Sequence, residues 1–317
     1  MKLVLFGAGA SIGAGLQRSP PLLSNLLKEL KIFAPNSWGN LTKDEENFFK
    51  KNFEDGMERL LNLKKEKFFK LTFPIQPRLK FLCDLQWDMA IYFFCFVIKI
   101  NSLYEEILSH SQKAGGTVEY STLNYDNLLI QAVNRVSNLM SKSKFSVSFP
   151  HGNSAFFCKA SIDAEGKVTA PQGEPTEFYP TTSGFLQSSG PIELIGDFKK
   201  LQERRNQHPL FPPIISHINP DKYVTSGINF IEEQQTKLWQ QINKAERIVI
   251  IGMSINNNDD HIWQPLRHTK AQILYISGKK SGNQFECWKV KNKRKNDRTI
   301  LSHWDSAKND VYDFLSI

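Results

Sequence analysis

The sequence predicts an α/β fold, a single parallel β-sheet with helices on both faces. Three observations carry that prediction. Apolar runs at KLVLF (2–6), RIVIIGMS (247–254) and AQILYIS (271–277) lack the alternation of a half-solvated strand and read as strands buried on both faces. Helix-like text separates the runs, which is the order a parallel sheet requires. The sheet is drawn from the first residues and the last hundred, with helical text inserted between them.

Residues 2–6 are followed by glycine and alanine in GAGASIGAGL, so the first strand breaks at Gly7. LLSNLLKELK (22–31) predicts a helix. From about 43 to 112 charges and aromatics recur at three- and four-residue spacing, clearest in DEENFFKKNFEDGMERLLNLKKEKFFK, which predicts an amphipathic helix pair over a core. GTVEYSTLNYD (116–126) reads as a second buried strand and NLLIQAVNRVSNLM as the helix after it. KFSVSFPHGN reads as strand to loop, and KASIDAEGKVTA as a hairpin about Glu-Gly. Between 171 and 222 Pro, Ser, Gly and Thr accumulate, predicting long loops. A helix at about 229–243 leads into the strand at 247, and SAKNDVYDFLSI closes the chain as a helix capped by Ser306. One Rossmann-like domain over 1–317, with a helical insertion at about 20–112 and a loop-rich segment at about 151–225, fits this order better than two tandem domains.

At 317 residues, 40% hydrophobic and 23% charged, the chain has ordinary globular composition. The net charge of +8 favours anionic partners such as nucleotides or nucleic acid without choosing among them. Cys83, Cys95, Cys158 and Cys287 form no CxxC pair, which argues against a structural zinc site and a disulfide framework. No signal-peptide pattern opens the chain, and MAIYFFCFVI (89–98) is too short to cross a bilayer. The expectation is a soluble protein of a reducing compartment, the cytoplasm, with no membrane association.

Four stretches carry possible chemistry. Small residues at a strand's end, at Gly7, Ala8, Gly9, Ala10 and Ser11, let backbone N–H groups approach a pyrophosphate. The third fingerprint position holds Ile12, however, and a plain tight turn explains the glycines equally. Asn124 and Asp126 lie two apart at a strand's carboxyl end and can face a ligand crevice; taken alone, an Asx turn capping the next helix is the simpler reading. His151, between Pro150 and Gly152, sits in a loop where an imidazole serves as a general base, a role most single histidines lack. In RIVIIGMSINNNDDHIW a strand ends at Gly252 and Ser254, and a polar loop leads to Asp259 and His261, which an ordinary strand-to-loop transition also explains. No HxxxH or HExxH spacing joins the histidines, so no metal is expected.

Taken in this order, GAGASIGAGL, TLNYD, PHG, FPPIISHINP and GMSINNNDDH resemble the sirtuin superfamily, and more closely its bacterial NAD-hydrolysing branch of antiphage defence. The resemblance implies Asn124 and His151 as the catalytic pair, Asp126 at the nicotinamide end, and Gly7, Ala8, Gly9, Ala10 and Ser11 around the phosphates. It places Gly252 and Ser254 on the adenosine side, with Asp259 and His261 in the same cofactor-binding stretch. Two departures stand out. The paired CxxC zinc ribbon of deacylating sirtuins is absent, and the glutamate expected four residues after Asp126 is Ile130, with Gln131 beside it.

The implied activity is hydrolysis of NAD to nicotinamide and ADP-ribose by an abortive-infection effector, with NAD as substrate and no metal. An NAD-dependent deacylase and a non-catalytic module binding NAD or ADP-ribose are the alternatives. A free NAD hydrolase is toxic, so the resemblance implies control by homo-oligomerisation or by a partner such as a HerA-type ATPase or an Argonaute-like protein. KKSGNQFECWKVKNKRKNDR (279–298) carries eight Lys or Arg with Phe285 and Trp288 between them. It reads as a solvated, flexible basic loop, or as a nucleic-acid contact combining phosphate binding with aromatic stacking.

Overall fold

The strand runs dictate a sheet, and the computed structural model of the chain contains it. The structure describes all residues except 13, 51, 63–76, 116, 141–143, 160, 163–167, 170–176, 181–185, 190, 217–226 and 257–258. β1 (Lys2–Phe6) and a 3-10 turn (Ala8–Ser11) precede five helices: α1 (Leu23–Phe33), α2 (Lys43–Phe48), α3 (Phe53–Asn62), α4 (Pro77–Phe94) and α5 (Leu103–Lys113). β2 (Val118–Thr122), α6 (Leu128–Leu139) and β3 (Val147–Ser148) follow. Next come β4 (Phe156–Cys158), β5 (Ser161–Ile162), β6 (Val168–Thr169), β7 (Glu177–Pro180), β8 (Leu186–Ser189) and β9 (Ile192–Leu194), paired antiparallel as β4–β9, β5–β6 and β7–β8. The chain finishes through α7 (Phe198–Gln207), α8 (Ile228–Lys244), β10 (Arg247–Ile251), α9 (Asp260–His268), β11 (Gln272–Ser277), α10 (Lys279–Lys291), β12 (Arg298–Leu301) and α11 (Trp304–Leu315).

The main sheet has the order β12-β11-β10-β1-β2-β3, with every neighbouring pair parallel. The first three of its strands wind outward from β1 and the last three outward from β10. This is the doubly wound, Rossmann-like order, whose ligand crevice lies outside the carboxyl ends where the winding reverses.

Alternate residues of each strand serve opposite layers, as the two-residue period demands. Val4 and Phe6 join a core with residues of α1, α3, α4, α5, α6 and α11. Leu3 and Leu5 join a second core with α8, α9 and α10. Helices therefore cover both faces, and the continuous apolar runs follow from that. Phe6 is fully buried, with its ring centroid 5.1 Å from that of Tyr104 and 5.3 Å from that of Trp304, so α5 and α11 are fixed over the end of β1. α5 starts at a capping box formed by Ser102 and Glu105, which sets the position of Tyr104.

Three expectations change. α11 begins at Trp304 with His303 at its N-cap position, ahead of Ser306, and the Trp304 indole is buried at the start of the helix. The segment 279–298 is not a flexible loop: it forms α10 and leads into β12. Phe285 and Trp288 face the second core, Phe285 stacked 4.2 Å from Tyr275, which withdraws both rings from stacking on a nucleic acid. The stretch expected as long loops from 171 to 222 holds β7, β8, β9 and α7. α7 is tied to α4 by Arg205, 2.6 Å from Asp88 and 3.6 Å from Asp84.

Candidate active site

The carboxyl ends of β1, β2, β3 and β10 are parallel neighbours, so the loops that follow them meet on one side of the sheet. The first contact is between glycines. Gly7 N–H donates to the Ile251 carbonyl at 2.9 Å, and Gly9 N–H to the Gly252 carbonyl at 2.7 Å. Gly252 has φ +64, and a Cβ there would lie 2.1 Å from the Ala10 nitrogen. A Cβ on Gly9 would lie 2.9 Å from Gly252 Cα. The small residues are thus used first to let two strand-end turns touch. With Ala10 N–H bonded to the Gly7 carbonyl at 2.9 Å, Ala8 is the exposed residue of the turn.

Ser11 ends that turn and is fully buried. Its hydroxyl lies 3.2 Å from the Tyr104 hydroxyl, accepts from Asn124 Nδ2 at 3.4 Å and donates to Asp126 Oδ2 at 3.4 Å. One donor and two acceptor positions are what a serine hydroxyl has. Asp126 Oδ1 accepts the Leu128 N–H at 3.1 Å, so the turn-capping role holds together with the contact to Ser11. Burial raises the Asp126 carboxyl to about 6, against the lowering effect of the Leu128 and Ser11 hydrogen bonds. Asn124 is buried, and among the described residues its Oδ1 accepts no hydrogen bond. A buried carbonyl oxygen in that condition is a ready acceptor for a hydroxyl or N–H that a ligand brings.

The loop after β3 is stitched to the loop after β2. Ser154 N–H donates to the Tyr125 carbonyl at 2.9 Å, and Asn153 Nδ2 donates to the carbonyls of Asn124, at 3.2 Å, and Asp126. Gly152, at φ +72, bridges to Ile215, and a Cβ there would lie 2.0 Å from the Ile214 carbonyl oxygen. His151 is held by this turn and is almost fully buried. Its Nε2 lies 3.1 Å from His261 Nε2 and 3.6 Å from Asp259 Oδ1. Asp259 occupies the N-cap position of α9 without a side-chain capping bond, and its carboxylate faces His151 instead. The structure therefore gathers Ser11, Asn124 and Asp126 in one cluster and His151, Asp259 and His261 in another, on loops bonded to each other. Ser254 lies outside both; it is exposed, with its Oγ 2.9 Å from Ser281 Oγ on α10.

Two buried residues had no place in the sequence reading. Tyr104 reaches Ser11 from α5. Glu54, on α3, lies 3.2 Å from the Tyr125 hydroxyl, which also lies 3.3 Å from the Ser216 carbonyl. Burial, and next the charge of Asp259, raise the Glu54 carboxyl to about 8. The Tyr125 hydroxyl donates toward both Glu54 Oε1 and the Ser216 carbonyl, so its one proton is shared between two acceptors. In the sequence Glu54 is one of many charges in an amphipathic helix pair, and no local signal distinguishes it from its neighbours.

No family model and no curated protein matches the chain. Among solved structures, it is similar to a Sir2 homologue in complex with NAD at 13% identity, over 87% of this chain and 77% of that one, with a TM-score of 0.38. Among the described residues, no helix is long and apolar enough to cross a membrane.

Proposed function

We propose that the crevice at the carboxyl ends of β1, β2, β3 and β10 binds NAD, and that the protein hydrolyses it to nicotinamide and ADP-ribose. The observation that carries this reading is the Asn124 side chain: buried beside the His151 loop, held through Nδ2 by Ser11, and with an Oδ1 that accepts nothing from the described residues. A ribose hydroxyl or a water supplies the missing donor. The fold supports the same reading, because the winding reverses between β1 and β10 and a dinucleotide suits that place.

Cleavage of the nicotinamide–ribose bond passes through an oxocarbenium-like state. Asn124 orients the ribose or the attacking water. His151 accepts the proton released when water adds to the anomeric carbon, and the Asp259 carboxylate, 3.6 Å away, stabilises the imidazolium that results. Nicotinamide leaves with the bonding electron pair, so no redox change occurs. Ala8 and Ser11 of the first turn take the phosphate side, with Asp126 toward the nicotinamide and Gly252 and Ser254 toward the adenosine.

As the sequence resemblance implies, the proposed setting is antiphage defence, with activity restrained by self-assembly or by a partner subunit such as a HerA-type ATPase or an Argonaute-like protein. The test is nicotinamide release from NAD by the purified chain, alone and with candidate partners. Asn124→Ala and His151→Ala are expected to abolish it and to end protection of cells against phage. Full release by both variants overturns the assignment.

A further inference from the structure

We propose that His151, His261 and Asp259 form a binding site for a divalent transition-metal ion of the zinc class. The three side chains each present one ligand atom, and those atoms all lie within 4.8 Å of one another. His151 Nε2 and His261 Nε2 are 3.1 Å apart, and Asp259 Oδ1 is 3.6 Å from His151 Nε2. Tetrahedral zinc with bonds of 2.0–2.1 Å needs ligand atoms about 3.3 Å apart, and these two separations bracket that value.

The chemistry of the donors points the same way. His151 Nε2 carries either one proton or one lone pair, yet it faces both an imidazole nitrogen and a carboxylate oxygen. A hydrogen bond to one leaves the other at an ion-pair distance, whereas a cation between them accepts electron pairs from all three. Two imidazoles and a carboxylate suit zinc, cobalt or nickel and not calcium or magnesium, which prefer all-oxygen ligands. The backbone is already set for it. Asp259 sits at the N-cap position of α9 and His261 in its first turn, while His151 is fixed from across the site by the Gly152 turn. Ligand positions 110 residues apart explain why no spacing motif announced the site.

Three protein ligands leave a fourth position open. If His151 serves as the base of the hydrolase proposed above, its bound Nε2 has no lone pair left to accept a proton, so metal occupancy switches hydrolysis off. This consequence rests on the hydrolase reading; metal binding itself does not.

The experiment is titration of the metal-stripped full chain with Co2+, read by the visible bands of tetrahedral cobalt, with Zn2+ competition to measure affinity. One equivalent of tetrahedral Co2+ is expected, displaced by Zn2+. His261→Ala and Asp259→Asn should each weaken binding by at least ~10-fold, the scale on which even the supporting contacts of metal ligands act. Asp260→Asn, at the exposed neighbouring position, should leave binding unchanged. His261→Cys keeps a ligand at the position, so it should retain the ion and add a thiolate charge-transfer band, which guards against variants that simply misfold. Absence of stoichiometric uptake, or uptake indifferent to both His261→Ala and Asp259→Asn, overturns the proposal. Nicotinamide release is measured on the metal-stripped and the metal-loaded chain: a chain that binds the ion but releases no nicotinamide even when stripped sinks the hydrolase alone, and a stripped chain that releases nicotinamide but takes up no ion sinks this site alone.

Discussion

The Gly9 N–H meets the Gly252 carbonyl at 2.7 Å, locking the turn after β1 onto the turn after β10 at the point where the sheet reverses its winding. Two parts of the candidate site extend from that junction. Ser11 closes the first turn, and the second leads on toward Asp259 and His261.

Two glycines with the same φ allow the junction to be weighed. Gly115 and Gly252 both have φ +64, but a Cβ on Gly115 meets nothing within 4 Å while one on Gly252 lies 2.1 Å from the Ala10 nitrogen. Gly115→Ala carries the left-handed backbone cost alone, about 1 kcal/mol. Gly252→Ala adds displacement of the first turn and should cost roughly 3 kcal/mol or more, with nicotinamide release falling below detection. Chemical denaturation of the two variants makes the comparison; equal losses would show that the contact between the turns is unimportant.

Asp126 gives the site a pH signature. Its folded-state carboxyl is raised from 3.8 to about 6, chiefly by burial, so between those values the folded chain holds more proton than the unfolded one. Stability from this group is complete below about 4 and falls as pH rises to about 6, by on the order of 3 kcal/mol. Asp126→Asn keeps an acceptor for Leu128 and removes the charge. Denaturation midpoints across this range should therefore converge at low pH and separate in favour of the variant above pH 6. A constant gap at all pH values would contradict the assignment.

The second core makes a further prediction about the basic segment. Phe285 is fully buried against Tyr275 and Trp288, so Phe285→Ala should cost about 3–5 kcal/mol by leaving a cavity. Lys280→Glu, on the exposed side of the same helix, should change stability by less than about 0.5 kcal/mol. Urea midpoints distinguish the two. A mild Phe285→Ala would return the aromatics of this segment to candidacy as ligand contacts.

What the sequence disclosed and what it withheld divide along physical lines. β1, β10 and β11 are buried on both faces, so their apolar runs mark them directly. β12 is a four-residue edge strand with no buried residue, and its RTIL carries no such run. α10 was hidden because few of its residues, Phe285 and Trp288 among them, are buried beneath a lysine-rich surface. Pro265 lies within α9 and masks it. The site residues on strand ends were legible because parallel sheets put their carboxyl-end loops together. Tyr104 and Glu54 reach the same place from helices over distances of 93 and 71 residues, and no local pattern encodes such contacts.

The Ser11 hydroxyl joins Asn124, Asp126 and Tyr104, and Ser11→Ala tests stability and chemistry together. Removing it leaves buried polar groups short of a partner, at a cost of about 1–3 kcal/mol. It also removes a hydrogen bond that lowers the Asp126 carboxyl, so the pH range over which stability falls should extend upward beyond 6. Asn124, released from the hydrogen bond between its Nδ2 and the Ser11 hydroxyl, should orient a substrate less well, and kcat should fall while KM changes little. Tyr104→Phe removes one neighbour of the hydroxyl and leaves the Ser11–Asp126 bond in place, so it should cost about 1 kcal/mol without moving the pH midpoint. Denaturation of Ser11→Ala and Tyr104→Phe across pH, set beside their nicotinamide-release rates, decides the matter: a Ser11→Ala profile that keeps the parent midpoint would show that Ser11 does not control Asp126.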